Sequence, residues 1–394
     1  MQKNKIALAI VRAVTYIGLF AALFFLFSQQ ATGAYPSDLP AHIKPPADDT
    51  YSALRIVYQL LIGAFDLPGI CAFLALVEIA TLALTEYLIR KLAPSAKPSV
   101  AFVCAVACNF AIAIFLPFIH SYYTVGSPGG NCWHNSTYTV MRLLALAALV
   151  FYFKFDGRIA ARSRAASWVG FTVMLTLATS VKPSFVMVFG PAVFVLCVID
   201  LKRQGTSTVK TSLLVGLSLL IALVIVFYQL TILFPADGSE EGGIAFGLAK
   251  VWRARHANIF VSFFQSLAFP LLVAYVTRFK FWEDRMFLLA CLMTFFALSE
   301  YVFLYETGAR TYHGNFGWGV SMAIFFLFVA AISVFLENRG AHLGLCTTTL
   351  SDEAGEVVVE QKWLDYVTLF AFAWHTASGL WYFFARLMMG ASFY

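Results

Sequence analysis

The sequence predicts an all-α, polytopic membrane helical bundle, and three observations carry that expectation. Hydrophobic residues make up 60% of the 394 positions and charged residues only 12%, about half the roughly 25% charged share of an ordinary soluble domain. Mean hydropathy is +0.78, with 40 Phe and 8 Trp adding to the imbalance. The apolar residues also come in runs of the length that crosses a bilayer, about 20 residues. A water-soluble chain of this size has no means of hiding so much apolar surface, so a soluble globular protein is excluded.

Read from the N-terminus, the expected spans are 6–27, 66–89, 99–119, 138–154, 167–181, 184–199, 211–234, 257–277, 285–304, 318–336 and 363–386, about eleven at some 20 residues each. The short pair around Lys182 is the least regular. Met1–Lys5 makes a basic start, but no small-residue cleavage site follows and the first run is too long for a signal peptide. It is expected to remain as a helix. The seven Cys lie mostly in apolar runs without metal-ligand spacing. Cys104 and Cys108, four apart on one helix, read as packing residues, and Cys132 implies no disulfide framework.

Lys and Arg orient such a chain because they concentrate in cytoplasmic loops. One alternating set of connections holds Lys3, Lys5, Arg90, Lys91, Lys97, clusters at 154–164 and 202–210, Arg278, Lys280, Arg285, Arg339 and Lys362. The other holds Lys44, Arg55, Lys182, Lys250, Arg253, Arg255 and Arg310. The bias places the N-terminus in the cytoplasm and, with an odd span count, the C-terminus outside. It also accounts for the net charge of +6, so no nucleic-acid partner is expected. The whole chain, 1–394, is read as one transmembrane domain with outer loops 28–65, 119–137, 235–256 and 305–317 and a cytoplasmic linker at 337–362. The outer loops hold His, Trp, Asn, acids, Gly and Pro in unusual density. Loops carry function when a rigid scaffold positions them, so chemistry is expected on the outer face.

The first outer loop contains "YPSDLPAHI". Asp38 and His42 are four apart, so one helical turn puts both on one face. A carboxylate at the bilayer surface can take a proton from an acceptor hydroxyl or bind a divalent ion that steadies a phosphate. The plain structural alternative is that Ser37 or Asp38 caps a short helix. Asp48 and Asp49 read better as the N-cap of the amphipathic stretch "TYSALRIVYQLLIGAF", which suits the interface. In the second loop, "SPGGNCWHNST" brings Trp133, His134 and Asn135 to the mouth of a membrane helix. They are fit to bind sugar hydroxyls or phosphate oxygens, or else serve as an interfacial Trp and a helix cap by Asn135 or Ser136. Lys182 stands between two apolar runs, where a lone cation either meets a ligand such as a lipid phosphate or snorkels to water.

In the fourth loop, Lys250 and Arg253 share a helix face, with Arg255 and His256 beside them. Arg is the natural fork for phosphate oxygens; the alternative is an ion pair with Glu240 or Glu241. The last loop, "LYETGARTYHGNFGWG", crowds Glu306, Arg310, His313 and Asn315 at the end of a membrane helix next to Trp318. Glu306 and Arg310 have ion-pair spacing, and Gly308, Gly314 and Gly317 allow the backbone close to a ligand. Glu78, Glu86, Asn109, Gln265, Glu300 and His375 lie in or near spans and read as contacts between helices. No P-loop, dinucleotide fingerprint, zinc-protease helix or nucleophile elbow is present.

With these residues in view, the layout resembles the integral-membrane GT-C glycosyltransferases, which use polyprenyl-phosphate-linked sugars. Their catalytic acid sits in the first outer loop just after the first helix, the place of Asp38. The resemblance covers the span layout of most of the chain and rests on one short motif. It implies that Asp38 acts as general base on an acceptor hydroxyl, assisted by His42. It implies that Lys182, Lys250, Arg253 and Arg310 hold the donor phosphate, and that Trp133, His134, Asn135, Glu306, His313, Asn315 and Trp318 hold sugar or acceptor. One base fits an inverting single displacement. The donor would be a polyprenyl-phosphate sugar and the acceptor a lipid-linked or cell-envelope glycan, met within membrane lipid. The sequence departs from the paired acids of the family: Leu39 follows Asp38, and Asp48 or Asp49 would have to supply a second acid. That leaves the part of a divalent cation open. Other classes compete. A flippase or transporter for lipid-linked sugars predicts ionisable groups at the midplane and matched halves, of which no repeat is found. A polysaccharide polymerase would also keep Arg-rich outer loops, and a non-catalytic assembly subunit is the third alternative.

Overall fold

The computed structural model describes residues 2–44, 51–116, 127–234, 242–256, 258–278, 282–347 and 362–391. Over these residues the chain is almost wholly helical, as long apolar runs in lipid require. Helix α1 (Gln2–Ala31) leads through the single turn α2 (Leu39–Ile43) into the long α3 (Leu54–Leu92). Asp66 leaves helical geometry at φ 58, ψ −161, two residues before Pro68, and its carboxylate takes the Leu67 amide at 2.9 Å. In the arm before this kink Leu54 and Tyr58 are buried, while Ile56, Leu60 and Phe65 stand exposed. Asp48 and Asp49, the proposed caps of this arm, lie outside the described residues.

Helices α4 (Pro98–Phe110), α5 (Ser136–Asp156), α6 (Arg164–Val181), α7 (Ser184–Gln204) and α8 (Val209–Leu233) follow. Then come α9 (Lys250–Arg255), α10 (Ile259–Val276), α11 (Arg285–Phe303), α12 (Gly317–Arg339) and α13 (Lys362–Trp381). Side chains of Asn135, Ser163, Asn258 and Asp284 accept first-turn amides and fix where α5, α6, α10 and α11 begin. Among the described residues the one sheet is a small ribbon, β1 (Ile244–Phe246) antiparallel to β2 (Leu304–Glu306).

Seven stretches among the described residues are long and apolar enough to cross a membrane: Lys5–Ala31, Leu54–Leu92, Ser136–Asp156, Ser184–Leu233, Ile259–Val276, Arg285–Phe303 and Gly317–Arg339. The expected count of about eleven is therefore not established. Ser184–Leu233 is one such stretch that takes in both α7 and α8, joined at Gly205 with φ 65. α6 carries Ser167, Thr172, Thr176, Thr179 and Ser180, and α13 carries Asp365, His375 and Ser378, which dilute their apolarity. α4 ends after 13 residues because the chain turns extended at Ala111, where α13 comes in. His375 Nδ1 lies 2.5 Å from the Ile112 carbonyl oxygen. A Cβ at Gly379 would overlap the Phe110 carbonyl oxygen. Gly379→Ala is therefore expected to destabilise the protein by about 1–3 kcal/mol through overpacking, read as a lower melting temperature in detergent. An unchanged melting temperature would contradict this close approach.

α12 is the axis. Every residue from Gly319 to Leu336 is buried, as a helix apolar on all sides must be. α1 and α8 are peripheral: Val14, Ile17, Leu213 and Val224 are each at least 65% exposed, which fits contact with lipid tails. Buried charges between helices are paired. Arg142 meets Glu78, Arg12 meets Glu86, Arg285 joins Asp156 at 2.7 Å and also Asp200, and Arg339 meets Asp365 at 2.9 Å. His375 likewise bonds within the bundle. Glu78, Glu86 and His375 thus act as contacts within the bundle, as the sequence suggests, whereas Gln265 bonds Ser127 and His256 of the connections.

The connections gather at two ends. At one end, Lys97 donates to the Gly344 carbonyl at 2.6 Å, Ser95 to Glu337 at 2.7 Å, and Arg285 draws in Asp156 and Asp200. At the other, the Asp38 amide bonds the His134 carbonyl at 3.0 Å, Ala53 bonds Ser180 at 2.9 Å, and Thr307 bonds Gly243 at 2.8 Å. Tyr35 Oη reaches the Met388 carbonyl at 3.2 Å. The described parts of loops 28–65, 119–137, 235–256 and 305–317 thus share one end. Most of the linker at 337–362 lies outside the described residues.

Candidate functional site

At the shared loop end the bundle opens into a cavity of ≈ 610 Å³. Its wall draws on segments far apart in sequence: Asp38 and His42 from α2, His134 and Asn135 before α5, Lys182 between α6 and α7, and Arg255 at the end of α9. Glu300 and Tyr301 come from the last turn of α11, Glu306, Arg310, His313 and Asn315 from β2 and the loop after it, and Trp318 from the start of α12. Apolar side chains also line it: Met187 of α7, Val226, Leu230 and Leu233 of α8, then Phe234 and Ile244, with the polar Gln229 among them.

Asp38 occupies the N-cap position of α2, yet its side chain makes no cap hydrogen bond. Ser37 Oγ instead accepts the Leu39 amide at 3.2 Å. The carboxylate turns to Asn135, whose Nδ2 donates to Asp38 Oδ2 at 2.7 Å. Asn135 Oδ1 meanwhile accepts the Tyr138 amide and the Thr137 hydroxyl, each at 2.8 Å. Asn135 is therefore both the helix cap and the clamp that orients Asp38. His42 follows one turn after Asp38, as its spacing predicts, but its Nδ1 engages Ser136 Oγ at 2.8 Å. It is thus held as part of the wall. Burial and the charge of Lys182 pull the His42 imidazole down to about 4 against the carboxylate of Asp38, so it is neutral at pH 7.

Lys182 does not snorkel. It is 7% exposed, donates to Thr137 Oγ1 at 3.1 Å and sits 4.7 Å from the centre of the Trp318 ring, a cation–π distance. Burial pulls its ammonium down to about 8, while Asp38 and Glu306 hold it up. The Trp318 ring also meets His134 at 5.7 Å and Tyr138 at 5.6 Å, so its first task is to seat the lysine. Burial likewise lowers the His134 ring to about 4. Glu306 takes the Asn315 amide at 2.5 Å, and Asn315 Oδ1 accepts from Trp318 Nε1 at 3.3 Å. Burial raises the Glu306 carboxyl, opposed by Asn315 and by the charges of Arg310, His313 and Lys182. The charge of Arg310 acts on Glu306, as the expected pair requires, and Asn315 donates a hydrogen bond to it.

Three expected site residues stand elsewhere. Lys250 and Arg253 are exposed and absent from the cavity lining; Lys250 lies 4.0 Å from the centre of the Tyr305 ring. The reason is rotational: Val251 and Trp252 are the buried residues of α9, which turns Lys250 and Arg253 outward and Arg255 inward. Glu240 and Glu241, their alternative partners, lie outside the described residues. Trp133 packs behind the wall against Phe110, Tyr382 and Phe383 and does not line it. The residues that sequence reasoning passed over are Arg255, noted only as a neighbour, and Glu300, set aside as a contact between helices. Arg255 donates to the carbonyls of Tyr312 at 2.7 Å and His313 at 3.0 Å, fastening the loop above the cavity. Gly314, expected to let a ligand approach, lines the cavity and also gives room to the Arg255 guanidinium.

Among the described residues no three His, Cys, Asp or Glu side chains come together to hold a metal ion. Compared with protein-family models, curated proteins and solved structures, the chain matches none of them. The functional reading therefore rests on the cavity.

Proposed function

We propose that the chain is a membrane glycosyltransferase that moves a sugar from a polyprenyl-phosphate donor to a lipid-linked or cell-envelope glycan acceptor at the outer face. The observation that carries this reading is the mixed lining of the cavity. An oriented carboxylate, Asp38, lines the same space as Lys182, Arg255 and Arg310, and so do the apolar side chains of Met187, Val226, Leu230 and Leu233. A charged head joined to a long hydrocarbon tail has that combination. The excess of Lys and Arg at the opposite end of the bundle supports an outward-facing cavity.

In this mechanism Asp38 takes the proton of an acceptor hydroxyl as its oxygen bonds to the anomeric carbon. The bond from that carbon to the phosphate oxygen breaks, and the phosphate leaves with the electron pair. Lys182, Arg255 and Arg310 stabilise the charge that develops there. A single base serves one displacement, with inversion at the anomeric carbon. Sugar contacts fall to His134, His313 and Asn315.

Purified protein in nanodiscs, given polyprenyl-phosphate hexoses and an envelope lipid and glycan extract, is expected to release polyprenyl phosphate as a sugar-bearing product forms. Donor crossing vesicle membranes without cleavage would replace the enzyme by a flippase, and lengthening of lipid-linked chains would make it a polymerase. The lysine gives a second check. Since Lys182 loses its charge as pH rises through about 8, affinity for polyprenyl phosphate is expected to fall about tenfold from pH 7 to pH 9. Lys182→Arg, which stays charged, should flatten the profile. An unchanged profile in that variant would remove Lys182 from phosphate binding.

A further inference from the structure

Glu300 differs from every other acid buried among the described residues. Glu78, Glu86, Asp200 and Asp365 each hold an arginine, and Glu306 holds Asn315. Glu300, half-buried on the last turn of α11, has no hydrogen bond or ion pair among the described residues and lines the cavity. An unpartnered carboxylate at the end of a membrane helix is costly, and such groups commonly mark a ligand site.

Its neighbours say which part of a ligand it meets. A Cβ placed on Gly319 would lie 3.7 Å from Glu300 Oε2 and 3.4 Å from the Ser184 carbonyl oxygen. Trp318, one residue earlier, carries Lys182 over its ring at 4.7 Å, and Lys182 is two residues before Ser184. Glu300 therefore shares the cavity with the lysine proposed to hold the donor phosphate, each set near the start of α12. The group attached to that phosphate is the sugar to be transferred. A sugar ring offers a carboxylate adjacent hydroxyl donors, and the apolar side chains of Met187, Val226 and Leu230 offer it none.

We infer that Glu300 is a second working carboxylate of the cavity, the acceptor of hydrogen bonds from the hydroxyl groups of the transferred sugar and a determinant of which sugar is taken. This rests on the glycosyltransferase reading for the identity of the donor, and on the geometry for the role of the residue.

The test is carboxyl labelling of the full-length protein in nanodiscs with dicyclohexylcarbodiimide, read by peptide mass spectrometry. The probes are polyprenyl phosphate and the polyprenyl-phosphate derivatives of glucose, mannose, galactose, N-acetylglucosamine and arabinose. Glu300 is expected to be modified when no probe is present, and to be protected at least about fivefold by one or more sugar derivatives and not by polyprenyl phosphate. Glu300→Gln is expected to weaken binding of the protecting derivative about ten- to a hundredfold while leaving polyprenyl phosphate within about twofold. Failure to label the empty protein, equal protection by polyprenyl phosphate, or protection by none of the probes would overturn the inference. So would a Glu300→Gln variant that binds the sugar derivatives as the native protein does. The two proposals fail separately. Protection by a sugar derivative without any transfer by the native protein sinks the enzyme and leaves Glu300 a sugar ligand; transfer without protection sinks the assignment of Glu300 alone.

Discussion

Asp38→Asn is expected to cut sugar transfer by about 10²–10⁴-fold, the usual contribution of a positioned general base. The substitution is close to isosteric, and its side-chain oxygen can still accept from Asn135 Nδ2, which in the native protein sits 2.7 Å from Asp38 Oδ2. The α2 turn should survive, because Ser37 rather than Asp38 supplies the side-chain oxygen at its start. The loss should therefore appear in kcat, with KM for the lipid donor within about threefold, since Lys182, Arg255 and Arg310 are untouched. A variant that keeps more than a third of native kcat would remove Asp38 from the chemistry.

The second large effect is on folding. Arg142 is 1% exposed, meets Glu78 across α3 and α5, and donates to Asn131 Oδ1. Asn131 in turn donates to the carbonyls of Cys108 at 3.0 Å and Ala111 at 2.8 Å. One guanidinium thus fastens the broken end of α4 to the segment carrying Gly129, Asn131 and Cys132 along the cavity. Arg142→Met leaves Glu78 buried without its cation, at a cost of about 3–5 kcal/mol. Thermal unfolding in detergent should show the loss, and the double variant with Glu78→Met should recover a large part of it. A double variant no more stable than Arg142→Met alone would mean that the charge pairing is not what holds this joint.

Much of the site was legible because its residues stand out against an apolar chain. Asp38, His134, Lys182 and the Glu306–Asn315 cluster are polar groups beside apolar runs, and alternation of loops alone sends them to one end. What the sequence could not give is rotation and neighbourhood. Helical spacing placed Lys250 and Arg253 on one face of α9, but which face meets the bundle is decided by burial of Val251 and Trp252. The same blindness hid Glu300, since no periodicity tells an acid facing a cavity from one facing an arginine on another helix. The caps proposed as alternatives divided similarly. Asn135 does cap α5 and also holds Asp38, whereas Asp38 caps nothing. The span count turned on contacts from afar as well. α4 breaks at Ala111 because α13 bonds to Ile112, a partner more than two hundred and fifty positions away that no local window contains.

The most direct measurement asks which compartment the cavity faces. Ala41 is exposed and lines the cavity, so Ala41→Cys can be probed in intact cells with a membrane-impermeant maleimide, against the native protein as background. The account predicts labelling from outside the intact cell, reduced when polyprenyl-phosphate sugar is added to the preparation. Labelling confined to inverted vesicles would turn the cavity toward the cytosol and contradict the account.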